Sequence, residues 1–200
     1  MPTTEQIDDF FVHPGNYDQV APIIGRDDFT IDGYYNRKYA IANYGFAVPC
    51  LEALDVLAAL SPILEIGAGL GHWATLLRAR GVDIVAVDNY STTYGSLGED
   101  KSLPFNKTTH VLDMSAVQAL KRFPGRNVLT IWPDYETPMA YNVASKLKPG
   151  TKLAYIGEGS GGCTGDDAFH TLVSGWECQY VNIPRWPAVH DCLHIYEVPE

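Results

Sequence analysis

The chain has 200 residues, 46% of them hydrophobic, with a formal net charge of −10. That length and apolar content suffice for one domain with a full core. The acidic balance argues against a nucleic-acid backbone as the main partner, because phosphate binding needs a basic face. No run of 18 apolar residues occurs, and the first residues, MPTTEQIDDF, lack the charged and apolar regions of a signal peptide. The four cysteines, Cys50, Cys163, Cys178 and Cys192, show no C-x-x-C pairing. Neither a metal site nor a disulfide framework is therefore expected, and reduced cytoplasmic thiols are the plain reading.

In chain order, the first fifty residues lack any strand–helix rhythm. They carry Phe10, Phe11, Tyr17, Phe29, Tyr34, Tyr35, Tyr39, Tyr44 and Phe46. We read residues 1–50 as an aromatic extension or lid over residues 51–200, within one domain. From there helical stretches alternate with strands, the pattern of a doubly wound, Rossmann-like α/β sheet with helices on both faces. Helices are predicted at Leu51–Leu60, Trp73–Arg80, Ser115–Phe123, Pro138–Leu147 and Asp166–Gly175. Strands are predicted at Ile63–Ile66, Val82–Val87, Thr109–Leu112, Asn127–Trp132, Lys152–Ile156, Trp176–Ile183 and Leu193–Val198. The link between the last two is too short for a parallel crossover, so the seven-stranded, mostly parallel sheet should close with an antiparallel strand. Asn89–Lys107, polar and rich in glycine and serine, reads as a mobile loop over the cofactor edge.

The most informative stretch is Ile63–Leu77, ILEIGAGLGHWATLL, a strand running through Gly67, Gly69 and Gly71 into a helix. Glycines at that spacing permit unusual backbone angles and close approach of a ligand. The helix start offers free N–H groups. A dinucleotide loop, G-x-G-x-x-G, would need glycine at position 72, where this chain has His72. The E-x-G-x-G-x-G turn that begins at Glu65 resembles the first motif of class I S-adenosylmethionine-dependent methyltransferases. Glu65 would suit a cofactor with a cationic amino-acid tail. Asp88 closes the next strand, about 20 positions beyond the glycine loop, where a carboxylate meets ribose hydroxyls.

Strand four ends in Trp132-Pro133-Asp134-Tyr135. Methyltransferases acting on amino groups often carry Asp/Asn-Pro-Pro-Tyr/Phe at this point. Here Trp132 cannot accept a hydrogen bond and Asp134 replaces the second proline. Further blocks resemble a family of small, uncharacterised methyltransferase-like proteins. They are Tyr44-Gly45-Phe46-Ala47-Val48-Pro49, the glycine loop with Trp73, Trp132-Pro133-Asp134, the stretch Gly157 to Cys163, and Pro184 to Asp191. The likeness runs from about Arg37 to the C-terminus, and this chain is a divergent member.

The resemblance implies S-adenosylmethionine as cofactor. Its expected contacts are Glu65, Gly67, Ala68, Gly69, Gly71, Trp73, Asp88, Asn89, Asp113, Met114 and Trp132. Asp134 and Glu158 are the candidate catalytic carboxylates, and no metal ligand is expected. Tyr39, Tyr44, Pro133, Tyr135 and His190 are candidate contacts to a small-molecule or protein acceptor. Because the last strand is antiparallel, whether His190 and Asp191 at its start lie on the cofactor edge stays open. Two rival readings use the same cofactor: a silent binding or protein-interaction module, and an enzyme that cleaves it.

Overall fold

The computed structural model describes residues 2–24, 31–91 and 109–200. Most of the predicted loop Asn89–Lys107 lies outside the described residues. The core is a seven-stranded sheet in the order β3-β2-β1-β4-β5-β7-β6. Its strands are β1 (Ile63–Ile66), β2 (Ile84–Asp88), β3 (Leu112–Asp113), β4 (Asn127–Ile131), β5 (Lys152–Gly157), β6 (Glu177–Asn182) and β7 (Cys192–Glu197). Pairings from β3 to β5 are all parallel. β7 runs antiparallel to both β5 and β6, so it alone opposes the other six. The fold is the doubly wound, mostly parallel sheet with an antiparallel C-terminal strand that the sequence predicts.

Every residue of β1 is buried, as a strand covered on both faces requires. One face, with Ile63, Ile84, Leu129 and Ile195, packs against α4 (Leu51–Ala58) and α5 (His72–Ala79) through Leu54, Leu57, Ala74 and Leu77. The other, with Leu64, Ile66, Val128 and Tyr155, meets α6 (Ala116–Arg122), α7 (Met139–Ala144) and α8 (Asp167–Val173) through Ala119, Val143 and Phe169. Side chains at Ser115 and Asp166 cap α6 and α8.

The N-terminal fifty residues carry three helices: α1 (Thr4–Val12), α2 (Tyr17–Ile24) and α3 (Ile31–Tyr44). Ile7 and Phe11 on α1, and Val20 and Ile24 on α2, are each four apart and so share a helix face. They form a third cluster with Ala40, Val48, Trp186 and Val189. α1 starts with a capping box between Thr3 and Gln6. His72, the first residue of α5, lies within hydrogen-bond distance of the Phe11 carbonyl through Nε2, at 2.9 Å. A carbonyl only accepts, so Nε2 carries the proton. Tyr44 stacks on Phe11 with ring centroids 4.8 Å apart, and its hydroxyl donates to Asp8 at 2.6 Å. The extension is therefore fastened to the helix that follows the glycine loop.

Three expectations shift. β3 spans Leu112–Asp113 rather than Thr109–Leu112, because only those two residues pair with β2. β4 stops at Ile131, and Trp132 leaves it with φ +50. The start of β7 does lie on the carboxyl edge, since Cys192 pairs with Gly157 at the end of β5. Among the described residues no helix is long and apolar enough to cross a membrane.

The glycine at position 71 is required by the chain's own packing. With φ +75, a Cβ there would stand 2.7 Å from both Thr109 Cγ2 and Val111 Cγ2. Gly71→Ala should cost roughly 1–3 kcal/mol through strain and overlap. Urea melts would show a lower midpoint at unchanged slope; an unchanged midpoint would contradict this account.

Candidate cofactor cleft

The loop after β1 is folded onto the end of β2. The N–H groups of Gly67 and Ala68 both donate to the Val87 carbonyl, at 3.0 Å each. Gly69 N–H donates to Asp88 Oδ2 at 2.8 Å, and Tyr90 N–H to Asp88 Oδ1 at 2.7 Å. Gly67, Gly69 and Gly71 all have positive φ, the region glycine enters without a Cβ penalty. The Asp88 carbonyl accepts from Met114 N–H at 3.0 Å, which ties the end of β3 to the same point.

A cleft of about 360 Å³ opens there, at the carboxyl ends of the parallel strands, where open α/β sheets bind ligands. Of the predicted site residues it brings together Gly67, Asp88, Asn89, Met114, Trp132, Pro133 and Asp134. Ser91, Thr137, Met139 and Asn142 also line it, though the sequence reading did not single them out. Met139 and Asn142 belong to the helix after β4, and only the fold shows which of its turns faces the cleft.

The other predicted residues lie elsewhere. Ala68, Gly69 and Gly71 shape the loop without lining the cleft. Trp73 is 4% exposed and packs in the core beneath α5. Asp113 is exposed at the edge strand. Tyr39 and Tyr44 both donate to Asp8 of α1, within the N-terminal extension. Tyr135 is 57% exposed.

Glu65 is 2% exposed and shares the face of Ile63, toward α5, rather than that of the cleft-lining Ile66. Burial pushes its carboxyl up to about 8, opposed by Arg78 and the Ala74 N–H, while Asp88 adds to the rise. Its Oε2 has no hydrogen-bond partner. Glu65 therefore lies beneath the loop, on the face of the sheet turned toward α5, and is not among the residues that line the cleft.

A second cluster stands behind Trp132. Its Nε1 donates to Asp191 Oδ2 at 2.8 Å, and its backbone N–H donates to the Ile156 carbonyl at 2.8 Å. Phe46 stacks on its ring with centroids 4.8 Å apart and planes 11° from parallel. The Arg37 guanidinium lies over the ring at 5.6 Å. Asp191 is 1% exposed. Burial pushes its carboxyl up to about 7; the Trp132 N–H opposes the rise, Glu158 adds to it, and Arg37 and Arg185 oppose it.

Glu158 behaves differently. Burial alone would raise its carboxyl, but hydrogen bonds from Cys163 and His190 outweigh it and hold the group below the usual range. Its Oε2 accepts from Cys163 N–H and its Oε1 from His190 N–H, both at 2.8 Å. His190 Nδ1 lies 3.4 Å from the same Oε1. In the glycine-rich run from Gly157 to Cys163 the backbone packs closely on the chain itself: a Cβ on Gly162 would stand 2.4 Å from Glu158 Cβ. Burial and the Glu158 carboxylate push the Cys163 thiol up to about 12, which makes it a poor nucleophile. Phe46 and Asp191 appear in the sequence blocks but not among the predicted contacts. Arg37 carries no local signal, because its role depends on where α3 docks. Among the described residues no group of three or more His, Cys, Asp or Glu side chains is placed to hold a metal ion.

The sequence matches no protein-family model and no curated protein. Solved structures similar to the chain include a putative O-methyltransferase from Klebsiella pneumoniae, at 15% identity and TM-score 0.48, covering 92% of this chain and 96% of that one. Another is magnesium protoporphyrin IX methyltransferase from Synechocystis with bound S-adenosylmethionine, at 12% identity and TM-score 0.47, covering 99% of each chain. A third is TehB from Haemophilus influenzae, at 15% identity and TM-score 0.47, covering 80% of this chain and 66% of that one. At these values the likenesses assign the chain no activity.

Burial of Glu65 has a measurable consequence. Between about pH 4.5 and 8 the native chain holds a proton that the unfolded chain releases, so Glu65 makes stability fall as pH rises through that window. Glu65→Gln should therefore stabilise the protein by roughly 1–3 kcal/mol at high pH and much less at low pH. Urea melts at pH 5.0 and 8.5 test this: an equal effect at both values would contradict it.

Proposed function

We propose that this chain is an S-adenosylmethionine-dependent methyltransferase acting on a small molecule or a protein side chain. The observation that carries the reading is the convergence of Gly67, Asp88, Met114 and Trp132 on one cleft at the carboxyl ends of β1 to β4. The donor set fits the cofactor: Gly67 presents backbone without a side chain, and Asp88, with Asn89 beside it, suits ribose hydroxyls. Met114 and Trp132 would supply apolar walls for the adenine and sulfonium ends. When bound, S-adenosylmethionine supplies an electrophilic methyl carbon.

The protein then has little acid–base work to do. It aligns the acceptor and excludes water. To Asp134, which lines the cleft beyond Pro133, we assign removal of a proton from an oxygen or nitrogen acceptor. Glu158 suits that role less well, because both of its oxygens already accept backbone N–H groups.

A second reading, a chain that binds this cofactor without turning it over, is favoured by one feature. The position where amino-group methyltransferases place an accepting side chain holds Trp132, whose only polar group is committed to Asp191. The products separate this from a third reading: S-adenosylhomocysteine reports methylation and methylthioadenosine reports cleavage.

Calorimetric titration with S-adenosylmethionine should show binding that Asp88→Ala weakens roughly 10- to 100-fold, the loss of hydrogen bonds to a charged acceptor. A variant that melts cooperatively yet binds as the parent does would remove Asp88 from the site. Absence of binding by the parent chain would overturn the proposal.

A further inference from the structure

We propose that Asp191 is a positioning residue of the cofactor cleft: by accepting the Trp132 indole N–H, it holds that side chain as the cleft's wall and couples the N-terminal helices to cofactor binding. The inference rests on the cofactor reading above, and its first half concerns the chain alone.

Three observations meet at Trp132. It is a non-glycine residue at φ +50, a conformation that persists only where surroundings impose it. Its indole N–H is 2.8 Å from a carboxylate that is 1% exposed. Trp132 lines the cleft, and its ring is the seat for Phe46 and Arg37 from the N-terminal extension. One residue thus touches the cleft, the start of β7 and the N-terminal extension.

Stability does not account for an aspartate at position 191. A buried carboxyl is costly, and a well-packed apolar residue of similar size would often serve the fold as well or better. Asp191 meets Arg37 from α3, Arg185 from the β6–β7 link and Glu158 from the end of β5 only as neighbouring charges. Its Oδ1 has no hydrogen-bond partner, so the bond to Trp132 is its one direct polar contact among the described residues. That contact fixes where the indole lies. Without it, the ring can turn about its side-chain torsions, and both the cleft wall and the seat for Phe46 and Arg37 are lost together. Glu158 cannot substitute, since its two oxygens hold Cys163 and His190.

The test uses the whole chain with two readouts. The first is the dissociation constant of S-adenosylhomocysteine by calorimetry. The second is hydrogen exchange of the α3 amides without ligand. Asp191→Ala should weaken binding about tenfold and speed α3 exchange, as expected for losing a buried hydrogen bond. Asp191→Asn should restore most of both, because its amide oxygen still accepts the indole N–H. Trp132→Phe keeps a ring and removes only the N–H, so it should resemble Asp191→Ala; it also replaces that variant should the latter not fold.

Parent-like binding and exchange in Asp191→Ala or Trp132→Phe would overturn the proposal, and so would failure of Asp191→Asn to restore either. If the parent chain does not bind S-adenosylhomocysteine, the cofactor reading fails, while the exchange readout still decides whether Asp191 holds Trp132 and the lid.

Discussion

The carboxylate of Asp88 spans the gap between two strand ends, taking Gly69 N–H with one oxygen and Tyr90 N–H with the other. Through that span the turn after β1 acquires its shape: the loop lies flat on β2, its glycines adopt positive φ, and α5 leaves at the angle that buries Leu77 under the sheet. The carbonyl of the same residue holds Met114. Take the carboxylate away and the Gly69 and Tyr90 segments lose their common anchor, while Met114 keeps its bond to the backbone carbonyl. An aspartate in this position therefore has a structural role before any ligand arrives, and ligand contact would draw on lone pairs that remain.

Around this anchor the protein buries ionisable groups that a fold selected only for stability would avoid. Glu65 under α5, His72 beneath α1 and Asp191 behind Trp132 are each at most 5% exposed. Burial drives the two acids up and lowers the His72 imidazole to about 4. Each is thereby moved toward its uncharged form. His72 has a visible use, because a neutral ring with its proton on Nε2 can donate to the Phe11 carbonyl. Asp191 has one too, at Trp132. For Glu65 the structure offers only the core position itself, and its cost falls on stability at high pH.

Much of this was legible in the sequence for a simple reason. Strands buried on both faces must be apolar runs, and ILEI, IVAV and NVLTI say so without any fold in view. The glycine spacing and the distance to Asp88 located the cleft. What sequence could not show was direction and docking. Strand alternation sends Glu65 toward α5 and Ile66 toward the cleft side, so the acidic residue of the motif is close to the cleft in sequence yet on the other face of the sheet. Trp132 carries no sign of a left-handed backbone, because that conformation is imposed by its neighbours. The helices α1 and α2 each rest on two apolar residues four apart, too little periodicity to stand out. Asp191 is a different case: the sequence reading left its edge open, although an antiparallel strand beside parallel ones begins at their carboxyl edge, as the pairing of Cys192 with Gly157 shows.

The central claim is that a single cleft, bounded by the glycine loop, Asp88 and Trp132, receives S-adenosylmethionine. The most direct measurement is an amide and indole proton–nitrogen NMR spectrum of the chain titrated with S-adenosylhomocysteine. The account predicts saturable shifts at Gly67, Asp88, Asn89 and Met114 and at the Trp132 indole N–H, with the exposed strand β6 unmoved. Shifts confined to other regions, or none at saturating ligand, would contradict it.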